Sequence, residues 1–181
     1  NIFSPVHIIF LELIMGPTCS IIYENEPMEK NAMKEKPRPF TTTFFNWDEL
    51  ATSIIQGLMI SAGTMVTYQY AVHSGAGEAL TRAMVFTALI TANIVLTLVN
   101  RSFFYSIFAT LRYKNPLVLL IIYVTIALSV LTLFVNPFAA FFRFDIMNIQ
   151  QTMISIATGF ISAIWFEGIK WNKRRKSWLR K

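Results

Sequence analysis

Cysteine is almost missing from this sequence: Cys19 stands alone among 181 residues, which excludes an internal disulfide and any metal site built on cysteine ligands. Charge is scarce as well. Only 14% of the residues are Asp, Glu, Lys or Arg, where a soluble domain carries about 25%. Apolar residues take their place, with 54% hydrophobic residues, sixteen Phe and a mean hydropathy of +0.49. That composition points to a membrane protein. The chain also opens on Asn1 instead of Met, and no basic leader, short apolar core or cleavage site precedes the first apolar stretch. It reads as a piece of something longer.

Five apolar segments come near the roughly 20 residues needed to cross a bilayer: 6–22, 50–72, 79–99, 117–135 and 149–169. The expected fold is all-α, an integral membrane bundle of five transmembrane helices forming one domain over 1–181. The third span has Asn93 as its most polar interior residue. The fourth, almost pure Leu, Ile and Val, reads as the most lipid-exposed. In the fifth, Ser155, Gly159 and Ala163 recur every four residues and share one helix face, where a second helix can approach closely. For Gly57 and Ser61 in the second span, incidental spacing is a serious rival to that reading.

The distribution of positive charge sets an orientation. Fourteen of the sixteen Lys and Arg fall in 24–46, 101–116 and the tail from Lys170, leaving only Arg82 and Arg143 elsewhere. By the positive-inside bias those three segments are cytoplasmic and 73–78 is outside. The basic tail (Lys170, Lys173, Arg174, Arg175, Lys176, Arg180, Lys181) is then explained by topology and anionic headgroups, so the lipid bilayer is its partner and nucleic acid is not. Trp47, Trp165, Trp171 and Trp178 sit near span ends or just beyond, as amphipathic rings at an interface do.

The first span is the least apolar, and it carries the chemistry. It holds His7, a carboxylate at Glu12, and the pair Gly16-Pro17. A carboxylate near mid-bilayer costs roughly 2.5–3.5 kcal/mol and is seldom left facing lipid. Pro17 has no N–H, so its bond to the carbonyl of Leu13 is missing, and Gly16 adds backbone freedom at the same turn. The helix is expected to be interrupted there, which is tolerated where freed carbonyls face a cavity or another helix. One acid beside loose carbonyls suits a hard cation or a proton. The other reading is a proline-kinked packing helix whose Glu12 is protonated or hydrogen-bonded to a neighbour.

The run Ser4-Pro5-Val6-His7-Ile8-Ile9-Phe10-Leu11-Glu12-Leu13, then Glu26-Pro27, then Lys36-Pro37-Arg38-Pro39, resembles the sixth membrane helix and following loop of P-type cation-transporting ATPases, the calcium-pump branch above all. Val99-Asn100-Arg101-Ser102 is similar to the end of that family's eighth helix. Asn136-Pro137-Phe138 is similar to the start of the loop after the ninth, and Glu167-Gly168-Ile169-Lys170 to the end of the tenth. The resemblance covers essentially the entire chain, in order and in register.

The resemblance implies an ATP-driven pump, with calcium as the expected transported cation, in the plasma membrane and with the C-terminus cytoplasmic. Glu12 falls where the family places a cation-coordinating Asn, Asp or Glu, and Asn93 where calcium pumps place an ion-facing Glu or Gln. Two departures stand beside these. Met15 occupies the position of a coordinating Thr, and Gly16 that of the central Asp, with Pro17 two residues ahead of the family's Pro. The missing Asp is the carboxylate that bridges two calcium ions in such pumps, so one ion, a different ion, or proton countertransport through Glu12 are the alternatives.

Asp-Lys-Thr-Gly, the family's phosphorylation motif, appears nowhere in the chain. ATP, magnesium and phosphoryl transfer therefore belong to upstream domains, and this segment alone is expected to be inactive. Its implied partners are the upstream membrane helices and the cytoplasmic phosphorylation domain, which 24–46 would face. In that family phosphorylation from inorganic phosphate does not need the cation site to be filled. The rival from another class is a stand-alone five-span module that stabilises a partner and moves no ion. A carrier or channel gated by Glu12 alone ranks third.

Overall fold

The computed structural model describes residues 3–26, 47–102, 106–110 and 115–178, all of them helix or connection with no strand. In order the helices are α1 (Pro5–Glu24), α2 (Trp47–His73), α3 (Glu78–Asn100), α4 (Ile107–Thr110), α5 (Pro116–Phe134), α6 (Asn136–Phe141) and α7 (Ile149–Trp178). Five are long and apolar enough to cross a membrane: α1, α3, α5, Leu50–His73 within α2 and Ile149–Asn172 within α7. The expected all-α bundle is thus present. The proline-rich connection with Pro27, Pro37 and Pro39 lies outside the described residues, as do Arg112, Lys114, Arg180 and Lys181.

Prolines set several of the starts. Pro5, Pro116 and Pro137 occupy the first turns of α1, α5 and α6, where a missing N–H has no intrahelical partner to lose. Gly75, at φ 74°, makes the tight turn from α2 to α3, a backbone state that costs glycine no steric strain. At 30 residues α7 is about 45 Å long and overshoots the hydrocarbon core. The overshoot carries Lys173, Arg174, Arg175 and Lys176 beyond the apolar stretch that ends at Asn172.

The bundle is organised around α3. Its apolar window is 61% buried, against 11% for α2 and 20% for α1. On one side α2, α3 and α7 pack as a group; α1 and α5 pack on each other and on α3, and α6 folds back on α5. Small residues let α3 and α7 meet. Ser155 and Ala163 are buried, and a Cβ built on Gly159 would lie 2.4 Å from the carbonyl oxygen of Ala88. The small-residue face of the fifth span is therefore a helix–helix contact. Gly63 plays the same part between α2 and α7, against Ser162, whereas Gly57 has nothing within 4 Å and Ser61 is exposed.

Two expectations differ from the structure. The fourth span is not the most exposed: α5 is 28% buried, level with α7 and well above α2. Composition records which solvent a helix tolerates and not which neighbours it meets. α5 turns Val118, Thr125, Ser129, Thr132 and Leu133 inward, while α2 buries little beyond Gln56, Ile60, Thr67 and Ala71. The second difference concerns α1, which is helical without a gap from Pro5 to Glu24. The interruption at Gly16-Pro17 is no unwound segment. It is confined to the one hydrogen bond that Pro17 cannot make to Leu13, and the turns on either side stay closed.

Candidate functional site

α1 has two unlike faces. His7, Ile14 and Ile22 are buried and Leu11 is partly so, at spacings that place them on the side toward α3 and α5. Ile8, Ile9, Glu12, Leu13, Gly16 and Ser20 are exposed on the other side. Glu12 is seven residues beyond Pro5, hence about 10 Å into the span. Its apolar neighbours Ile8, Ile9 and Leu13 are 55%, 66% and 68% exposed, so the carboxylate sits on a bare hydrocarbon face. Among the described residues no hydrogen bond or ion pair reaches it. Gly16 is one turn further along the same face, and a Cβ there would meet nothing within 4 Å.

Asn93 is elsewhere. It is half-buried on α3 and borders a cavity of about 20 Å³ with Leu11, Ile14 and Met15 of α1, Thr97 of α3 and Thr125 of α5. That is room for about one water. The Thr97 hydroxyl donates to the Asn93 backbone carbonyl at 2.8 Å, and the Asn93 side-chain amide has no partner among the described residues. Met15 lines this cavity too. The structure therefore places Asn93 under the inner face of α1 and Glu12 on the uncovered face, and does not bring the two into one coordination shell. No group of three or more His, Cys, Asp or Glu that could hold a metal ion occurs among the described residues.

What the structure does bring together are two polar junctions, one at each end of the bundle. At the Glu26 end, Arg101 follows the last turn of α3 and grips Glu26 with both arms of its guanidinium, Nε to Oε2 at 3.0 Å and Nη2 to Oε1 at 2.8 Å. Asn115, ahead of α5, donates to Glu26 Oε2 and to the carbonyl of Ile22. Asn100 and Gln56 exchange side-chain amide bonds of 3.0 and 3.2 Å, tying α3 to α2. Lys170 of α7, only 1% exposed, donates to the carbonyls of Val99 and Ser102 and pairs with Glu167, which accepts from the Ile107 amide of α4. A lysine there satisfies carbonyls that the end of α3 leaves open.

At the other end, His7 locks the start of α1. Its Nδ1 accepts from the Ser4 amide at 3.1 Å and lies 2.7 Å from the Ser4 hydroxyl, the reach-back of a capping box with His in place of Glu. An accepting Nδ1 leaves the proton on Nε2, which donates to the Phe142 carbonyl at 2.7 Å. The ring is enclosed by Phe3, Phe86, Phe142 and Phe144. Beside it, Arg82 donates to the carbonyl of Arg143, whose φ of 52° turns the chain back after α6. Sequence reading singled out Glu26, Arg101, Glu167 and Lys170 as separate elements and missed that they meet. Their one local signal was ionisable groups set at the ends of apolar runs.

The family comparison decides what this framework belongs to. A family model described as Cation transporting ATPase, C-terminus, matches residues 1–172. The chain belongs to this family. It is the C-terminal membrane region of a P-type cation ATPase, and the five apolar helices are its membrane spans. A comparison with curated proteins gives no match. For this family region the polar junctions mark the two ends of the spans, and the uncovered face of α1 lies between them within the bilayer.

Proposed function

We propose that this region supplies part of the transport site of an ATP-driven cation pump, with the Glu12 carboxylate as a direct ligand of the transported ion. The observation that carries the reading is the placement of Glu12: exposed, unpaired among the described residues, and surrounded by exposed Ile8, Ile9 and Leu13. A carboxylate at that depth is too costly to leave against lipid. The upstream helices of the pump are the partners that cover it, and a hard cation or a proton is what neutralises it. Calcium is the first ion to test, bound singly, because Gly16 and Met15 withhold two of the oxygen donors that calcium pumps use. Asn93 contributes an amide oxygen after a local shift of α1 against α3. The Glu26 junction and the tail lie on the cytoplasmic side of the plasma membrane, next to the phosphorylation domain.

The test is Glu12→Gln in the full-length pump. The amide keeps the shape and removes the charge that offsets ion dehydration. Transport and cation-dependent phosphorylation from ATP should fall by at least about tenfold, the equivalent of roughly 1.4 kcal/mol. Phosphorylation from inorganic phosphate should persist, and so should the yield of folded protein. Unchanged transport with an altered melting temperature would assign Glu12 to packing and move the ion path into the upstream helices. Asn93→Ala should give a smaller loss, since it removes one neutral donor.

A further inference from the structure

We infer that His7 and Arg101 are positioning residues for Glu12: they pin both ends of α1 to the α3–α5–α6 scaffold, so that the helix yields only in its middle turns. This rests on the reading of Glu12 as an ion ligand. At the first end, the His7 ring is 2% exposed and its Nε2 proton is held by the Phe142 carbonyl at 2.7 Å. At the second, the Arg101–Glu26 pair is bidentate and Arg101 is 7% exposed, with Asn115 closing on the same carboxylate. Opening that pair would leave a buried charge uncompensated, which is strongly unfavourable. The centre meets this scaffold through apolar side chains, buried Ile14 and partly buried Leu11. Glu12 and Gly16 are exposed, no atom comes within 4 Å of a Cβ at Gly16, and Pro17 omits a backbone bond. A helix fixed at both ends and soft one turn past Glu12 moves that carboxylate by bending and not by sliding.

The experiment uses the full-length pump. Phosphoenzyme formed from inorganic phosphate counts the folded molecules, and the cation concentration for half-maximal phosphorylation from ATP reports the site. His7→Ala and Arg101→Gln should each raise that concentration about tenfold in the molecules that remain folded, whatever their count. His7→Gln, which keeps a side-chain N–H donor, and Arg101→Lys, which keeps the charge, should recover most of the loss. A lower count with the half-maximal cation concentration unchanged would make the two residues merely structural and overturn the inference.

The second measurement replaces each tie by a covalent one, in a pump carrying Cys19→Ser and no other reactive thiol. Glu26→Cys with Arg101→Cys, and His7→Cys with Phe142→Cys, are bridged by a bifunctional alkanethiosulfonate, which forms a disulfide with each thiol and releases sulfinate. Bridged pumps should keep turning over and regain cation affinity lost in the unbridged ones. Turnover that stops on bridging and returns on reduction would show that the ends part during the cycle, against the inference. If Glu12→Gln leaves cation dependence untouched, the ligand reading fails by itself, and the fixed ends are still judged by the bridging result.

Discussion

Gly159→Ala tests the packing that holds the bundle together, and its size follows from the geometry. The added Cβ would lie 2.4 Å from the Ala88 carbonyl oxygen and 3.0 Å from the Thr91 Cβ, where ordinary contact begins at 3.4 Å. The first obstacle is backbone, so it cannot be relieved by a rotamer change. α7 and α3 must separate by up to the missing 1.0 Å (3.4 minus 2.4), loosening the contacts of Ser155 and Ala163 along the same face. Overpacking of this kind costs about 1–3 kcal/mol, and the upper part of that range is expected here. Against it, alanine gains about 1 kcal/mol over glycine in helix propensity. The net expectation is a loss of about 1–2 kcal/mol, read as faster thermal inactivation of the full-length pump in detergent. Gly57→Ala is the matched control. It gains the same propensity and meets nothing within 4 Å, so it should be neutral or stabilising. Equal behaviour of the two variants would refute the close α3–α7 approach.

Three further outcomes can be checked directly. With Cys19→Ser as background, an impermeant thiol reagent applied to intact cells should label a cysteine placed at Ser74 and spare one at Ser177; the reverse pattern would invert the topology. Lys170→Met should destabilise the pump by about 3–5 kcal/mol, because it strands Glu167 and reopens the carbonyls of Val99 and Ser102 in a buried site. A melting temperature within a degree of the parent would show that the pair is dispensable. The purified 181-residue chain, given ATP labelled at the γ-phosphate, should form no acid-stable phosphoenzyme, and incorporation of label would contradict the division of labour with upstream domains.

Much of this protein could be read from residue order alone, because bilayer insertion is governed by local composition. Runs of about 20 apolar residues have to become helices where no water can satisfy the backbone, so five spans were legible from hydropathy. The close-contact face of α7 was legible as well, since Ser155, Gly159 and Ala163 repeat at the helical period. Glu12 stood out because a carboxylate within such a run is expensive wherever the helix packs.

Partnership was not legible, because it depends on which helices become neighbours. Glu26 and Arg101 are 75 residues apart and His7 and Phe142 are 135 apart, and no local pattern encodes either pair. The uniform Leu, Ile and Val of α5 suggested exposure, yet α2 is the barer helix, since α3 took its place at the centre through contacts that composition does not record. The continuity of α1 through Pro17 was not legible either: one absent hydrogen bond weakens a helix without unwinding it. The same arrangement leaves Glu12 facing away from Asn93. Adjacency in the family's order of motifs set both residues in one region of the bilayer, and only the rotation of α1 about its own axis decided that they look in different directions.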